Sequence, residues 1–338
     1  MTAAHPPLEP GTFAPKGWLR NPHVQSVLAS SGLRRFVFRD RISPLLASSR
    51  EEILDVGEAK LVGHLNLPKH TPRALVVLIH GWEGSVHSTY MLCLGSWLLS
   101  HGFAVYRLNL RDHGDTHHLN EGIFHSNRLG EVVKAVKLIS ERLPDWPIVI
   151  GGYSLGGNFA LRIARAAPEA GVPIDYVFAV CPAVHPPHVL TAIESGPSFY
   201  HDYFMRKWRQ SLMLKQKHFP EAYDFGWAMK SDMRHLTTGL VQRHTEYKSL
   251  DEYLTAYSIA GDRLTGIQAD GVILTSEDDP VCPVADFRSL TLPSQVELFI
   301  TRFGGHCGFV RDFSLDSYAE RFVSFRLKAR YPGSSSGD

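Results

Sequence analysis

A serine between two glycines is the first feature of this chain that could do chemistry. Gly152-Tyr153-Ser154-Leu155-Gly156 reads G-x-S-x-G, with the apolar run 147–154 leading in and the helical pattern 155–169 leading out. As bare text the pattern is common. Between a strand and a helix it describes a turn so tight that residues two before and two after the serine must lack side chains, which Gly152 and Gly156 do. Such a turn lifts a hydroxyl out of the sheet at the positive end of a helix.

A serine hydroxyl is a weak nucleophile near neutral pH and needs a base, and the base needs an orienting group. In a strand–turn–helix site the partners follow in the order serine, acid, histidine, each in a loop just after a strand. The run 271–277 is followed by Asp278-Asp279-Pro280, and the run 296–303 by Gly304-Gly305-His306. His306 is the expected base. Asp279 is favoured over Asp278 as its partner, because the residue before Pro280 lies where the loop turns towards the histidine. Taken singly, a packed histidine or a solvated aspartate is the plainer reading; their order beside Ser154 favours the chemical one.

Acyl transfer also needs N–H donors already aimed at the developing oxyanion. Leu155, directly after the serine, is one candidate. Trp82 is the other, in the stretch His80-Gly81-Trp82-Glu83-Gly84-Ser85 that closes the run 74–81 and forms the loop after it.

Elements able to hold these residues are visible in the pattern. Short β-branched runs at 74–81, 104–110, 147–154, 176–182, 271–277 and 296–303 are apolar on both faces, as strands buried between helix layers are. Helical stretches alternate with them, so an α/β fold is expected: a mostly parallel, doubly wound sheet with helices on both faces. Residues 51–67 suggest an antiparallel hairpin at the sheet edge, and the proline-bearing segment 1–50 an irregular stretch packed on the core. The core is assigned to 51–184 and 263–330, and a disordered tail to 331–338.

Spacing adds an insertion. Ser154 and Asp279 lie 125 residues apart, where the intervening crossovers consume only about 50 to 60. The surplus is the aromatic interval 185–262, with Phe199, Tyr200, Tyr203, Phe204, Trp208 and Trp227, which reads as a helical lid over the serine. Such a lining favours an apolar acyl or alcohol group, although the same aromatics could be the lid's own core.

With 35 basic and 34 acidic residues the net charge is +1, which argues against a nucleic-acid surface. No run reaches the roughly 18 apolar residues of a membrane span, no signal peptide is visible, and four scattered cysteines suit a reducing cytoplasm.

With these residues in hand, the chain resembles the α/β-hydrolase superfamily from about residue 50 to 330, and within it the YheT-like branch. The similarity rests on Asn21-Pro22-His23-Val24-Gln25-Ser26, HGWEGS at 80–85, GGYSLGGN at 151–158, DDPVCP at 278–283 and GGHCGF at 304–309. The resemblance implies a Ser154, Asp279, His306 triad and hydrolysis of short- to medium-chain carboxylic esters. Some relatives carry an H-x-x-x-x-D acyltransferase motif, which no histidine here begins. The Asn21–Ser26 segment yields no mechanism from sequence.

The loop 109–125 holds His113, His117, His118 and His125 beside Asp112 and Asp115, residue types that could bind a metal. Their spacing matches no metal motif and the chemistry above needs none, so no metal or cofactor is expected. Arg111 is expected to be a structural anchor, and His125 to face the site entrance. The expected function is a cytoplasmic serine esterase acting on small ester substrates. A thioesterase, acyltransferase or lipid hydrolase on the same triad, and a non-catalytic binder, are the competing readings.

Overall fold

In the computed structural model, which describes residues 13–333, the strand runs pair into one eight-stranded sheet of order β1-β2-β4-β3-β5-β6-β7-β8. β1 (Arg50–Asp55) and β2 (Lys60–Asn66) form the expected edge hairpin, and β2 runs antiparallel to β4 (Ala104–Leu108). The other five pairings are parallel and link β4, β3 (Leu75–Ile79), β5 (Ile148–Tyr153), β6 (Ile174–Val180), β7 (Asp270–Ser276) and β8 (Val296–Thr301).

Alternation along β3 shows why both faces must be covered. Leu75, Val77 and Ile79 enter the core shared with α5 (Leu129–Arg142) and α6 (Leu155–Ala170). Val76 and Leu78 point the other way, into the core beneath α4 (Thr89–Ser100) and α11 (Tyr318–Arg330). All five are fully buried, each worth about 1.5–3 kcal/mol relative to exposure. The sheet is therefore a rigid slab on whose C-terminal rim the loops of interest stand.

The interval after β6 is helical, as its lack of strand patterning implied. It holds α7 (Pro186–Ser195), α8 (Ser198–His218), α9 (Met233–His244) and α10 (Leu250–Ala256) before the sheet resumes at β7.

One expectation is corrected. The described part of residues 1–50 is not irregular: it forms a 3₁₀ turn (Gly17–Arg20) and the helices α1 (Pro22–Ala29), α2 (Gly32–Val37) and α3 (Arg39–Ala47). Pro22 starts a helix rather than breaking one, because the first helical residue has no N–H partner to lose. Asn21 caps α1 by accepting from the His23 and Val24 N–H groups, and Ser31 caps α2. Pro44 sits inside α3. The tail assigned to 331–338 is corrected at its start, where Tyr331 is buried and its hydroxyl donates to Asp175; residues 334–338 and the prolines before residue 13 lie outside the described residues.

Candidate active site

Ser154 sits between the last residue of β5 and the first of α6, with φ 53° and ψ −120°. A non-glycine residue in that region is strained by about 1–3 kcal/mol. The strain is imposed by close packing: a Cβ on Gly156 would lie 2.2 Å from the Ile79 carbonyl oxygen, and one on Gly152 2.4 Å from the Gly156 carbonyl. The chain can pass there only backbone to backbone. Ser154 holds the helix N-cap position but makes no side-chain cap. Its hydroxyl instead meets His306 Nε2 at 2.9 Å.

On the far side of the ring, His306 Nδ1 faces Asp279, at 2.9 Å from Oδ2 and 3.1 Å from Oδ1. Asp279 follows β7, and its side chain is fully buried. Its Oδ1 also accepts the Val281 and Cys282 N–H groups at 2.8 and 2.9 Å, which fixes the carboxylate in the loop. Burial opposes charge on the imidazole, but the adjacent Asp279 carboxylate outweighs it and raises the ring well above its ordinary value. Asp278 does something else: its Oδ1 accepts the Gly305 N–H at 2.9 Å, tying the end of β7 to the histidine loop.

The loop after β3 is pinned by groups that the motif did not reveal. Fully buried His80 contacts the Gly81 carbonyl through Nδ1 and accepts the Leu110 N–H at Nε2, and burial holds its pKa down to about 4. The Gly84 N–H also donates to the Gly81 carbonyl, and Tyr90 Oη accepts the Gly81 N–H. In a planar trans peptide the carbonyl and the following N–H point opposite ways. With the Gly81 carbonyl turned towards His80 and Gly84, the Trp82 N–H faces the other side. Gly81 packs against Ser154, with space for a Cβ only 3.3 Å from the serine's own. Leu155 presents its N–H at the first position of α6, where no intrahelical acceptor exists.

A cavity of about 860 Å³ opens over Ser154 and His306. Core loops line one side through Trp82, Glu83 and His125; the helices after β6 line the other through Tyr203, Phe204, Trp208, Leu240 and Tyr253. Trp82 stacks on Phe204 at 5.2 Å and meets Trp208 edge-on. Lys207 Nζ donates to the Glu83 carbonyl at 2.7 Å, joining α8 to the loop after β3. Burial pushes the Glu83 carboxyl up to about 8, against the opposing pull of Lys207.

The histidines of the loop 109–125 are spread by their packing. His113 is buried between His80 and Phe124, His117 Nε2 meets Ser211 Oγ, and His125 lines the cavity beside Tyr247 and Tyr253. Arg111 is an anchor, buried against Glu131 and the Gly122 carbonyl. Among the described residues, two groups bring three ligand atoms together: Cys181, His306 and Cys307, and Asp279, Cys282 and His306. Both include the imidazole already engaged by Ser154 and Asp279.

Sequence reasoning missed Gln25 and Ser26. Ser26 Oγ accepts the His306 N–H at 2.8 Å, and Gln25 holds Val310.

Comparison with known proteins agrees with this architecture. Residues 74–218 match a family model described as the alpha/beta hydrolase fold. The chain is 25% identical over 313 residues to the Escherichia coli protein named "Putative esterase YheT", covering 88% of this chain and 87% of that one. Among solved structures, a Pyrococcus furiosus esterase superposes with a TM-score of 0.55 at 15% identity, covering 84% of this chain and 91% of its own. A 2,6-dihydroxy-pseudo-oxynicotine hydrolase gives 0.56 at 16% identity, covering 87% and 72%. At such identities the structural likeness speaks for the fold.

Proposed function

We propose that this α/β hydrolase, similar over most of its length to the Escherichia coli protein, is a serine esterase that cleaves carboxylic esters through an acyl-enzyme. The observation that carries the reading is the unbroken chain Ser154 Oγ, His306 Nε2, His306 Nδ1, Asp279 Oδ2, each contact at 2.9 Å. His306 takes the proton as Ser154 Oγ attacks the acyl carbon, and returns it to the departing alkoxide. Water then attacks the acyl-enzyme by the same route, releasing the acid and free Ser154. The Trp82 and Leu155 N–H groups receive the oxyanion. No metal or cofactor enters these steps.

Residues 185–262 act as the lid. The aromatic wall that they and Trp82 supply favours an uncharged ester with an apolar acyl or alcohol group. The four cysteines are free thiols, which supports a reducing, cytoplasmic setting.

A fluorophosphonate probe tests the reading directly. Wild-type protein is expected to label and to hydrolyse nitrophenyl esters, with a preference for short to medium acyl chains. Ser154→Ala is expected to do neither. Equal labelling of the variant would move the nucleophile elsewhere, and unlabelled wild type would favour a binding protein.

The pH profile gives a second test. Only neutral His306 can accept the serine proton, and the Asp279 carboxylate keeps the proton on the ring to higher pH. kcat/KM is expected to fall as pH drops through a limb lying above the ordinary histidine value of 6.5. An acid limb well below 6.5 contradicts this assignment of the base.

A further inference from the structure

We propose that Ser26 and Gln25, at the start of the chain, are positioning residues for His306; the proposal rests on the reading of His306 as the general base. The need for outside support is visible in the loop itself. Gly304, Gly305, Cys307 and Phe309 all have positive φ, of 153°, 54°, 63° and 49°. Two of these four are not glycine, so the loop stores strain of about 1–3 kcal/mol at each. Such a segment stays in place only when its surroundings over-determine it.

Helix α1 does this from 280 residues away. Ser26 Oγ donates its one proton to the Pro22 carbonyl at 2.7 Å, leaving its lone pairs directed at the His306 N–H, 2.8 Å away. The Tyr200 hydroxyl, on α8, also pairs with this group. Gln25 is fully buried and pairs with both backbone groups of Val310: Oε1 accepts the N–H at 2.6 Å and Nε2 donates to the carbonyl at 2.9 Å. Its second N–H goes to the Leu19 carbonyl, tying α1 to the 3₁₀ turn before it. Contact is close enough to dictate residue type, since a Cβ on Gly305 would lie 2.3 Å from the Pro22 carbonyl oxygen.

The histidine loop is thus clamped on both flanks of residue 306. Asp278 holds Gly305 from the sheet side, while Ser26 holds the His306 N–H and Gln25 holds Val310 from the α1 side. Ser26 lines the cavity, but among the described residues no hydrogen bond joins it or Gln25 to Asp279 or to the Ser154 hydroxyl. They act through the backbone that carries the ring. A base displaced by about 1 Å can cost on the order of 100-fold in rate.

Ser26→Ala tests the role, because it leaves α1 its Asn21 cap and its apolar contacts. kcat for a nitrophenyl ester, and the rate constant for fluorophosphonate labelling, are expected to fall about 10- to 100-fold with KM within about twofold. Ser26→Thr, which keeps the hydroxyl, is expected to restore most of both. Gln25→Leu leaves the Val310 N–H and carbonyl without partners and lowers stability as well, so Ser26 is the cleaner probe. Wild-type rates in Ser26→Ala overturn the proposal. So does a loss that Ser26→Thr leaves unrescued and that tracks a lowered unfolding midpoint, the mark of a merely structural contact. Wild-type protein that fails to label overturns the serine-hydrolase reading instead.

Discussion

Asp279→Asn is expected to lower kcat by about 10³- to 10⁴-fold while leaving KM and the fold nearly unchanged. The local hydrogen bonds decide which way the new amide must sit. Asp279 Oδ1 accepts two backbone N–H groups, from Val281 and Cys282, so the asparagine oxygen is held at that position. Its NH₂ then takes the place of Oδ2, facing His306 Nδ1 at 2.9 Å. A donor there forces the ring proton onto Nε2, where it confronts the serine hydroxyl. The base is present but in the wrong tautomer. The charge that raises the imidazole is lost too, so the acid limb of the residual activity is expected to move to lower pH.

Asp278→Asn is the matched control. Its oxygen can still accept the Gly305 N–H, and its side chain does not reach the ring, so a loss below about tenfold is expected. Steady-state kinetics on both variants, with circular dichroism to verify folding, decide the matter. An Asp279→Asn protein keeping a tenth of wild-type kcat, or an Asp278→Asn protein as crippled as it, would reverse the roles of the two carboxylates.

What could be read from the text follows the locality of the physics. The serine turn is legible because strand, turn and helix are contiguous, and Gly152 and Gly156 mark where two backbones touch. Asp279 and His306 are legible because loops after strands of a parallel sheet share one rim, so order along the chain becomes proximity in space. The buried strands were legible because residues such as Leu75 to Ile79 are apolar without alternation. By contrast, nothing local joins Ser26 to His306, and the prolines around α1 resembled breakers when Pro22 in fact opens the helix. His80 and Lys207 were hidden for a related reason. Each binds a backbone group of a loop distant in sequence, and no residue pattern encodes such a partner. The histidines of the loop 109–125 show the converse, since residue types suited to ligation are equally suited to packing against rings and backbone.

Gly156→Ala is expected to destabilise the protein by about 2–4 kcal/mol and to slow fluorophosphonate labelling at the same time. The added Cβ would lie 2.2 Å from the Ile79 carbonyl oxygen and 2.5 Å from that of His80. Neither neighbour can swing aside, because both are backbone and β3 is bonded on each edge, to β4 and to β5. α6 must move instead, carrying Ser154 and the Leu155 N–H with it. Gly157→Ala separates this clash from the ordinary effect of adding alanine to a helix. It lies in the same first turn and gains the same helix preference of about 1 kcal/mol, but its nearest contacts, the Gly152 carbonyl oxygen and Pro182 Cβ at 3.2 Å, are tight rather than overlapping. Stability within about 1 kcal/mol of wild type is expected there, with near-normal labelling. The difference between the two urea midpoints, at equal slope, measures how much more the 2.2 Å approach at Gly156 costs than the 3.2 Å approach at Gly157. Equal midpoints and equal labelling rates would mean that the close contact between α6 and β3 does not set the geometry of Ser154.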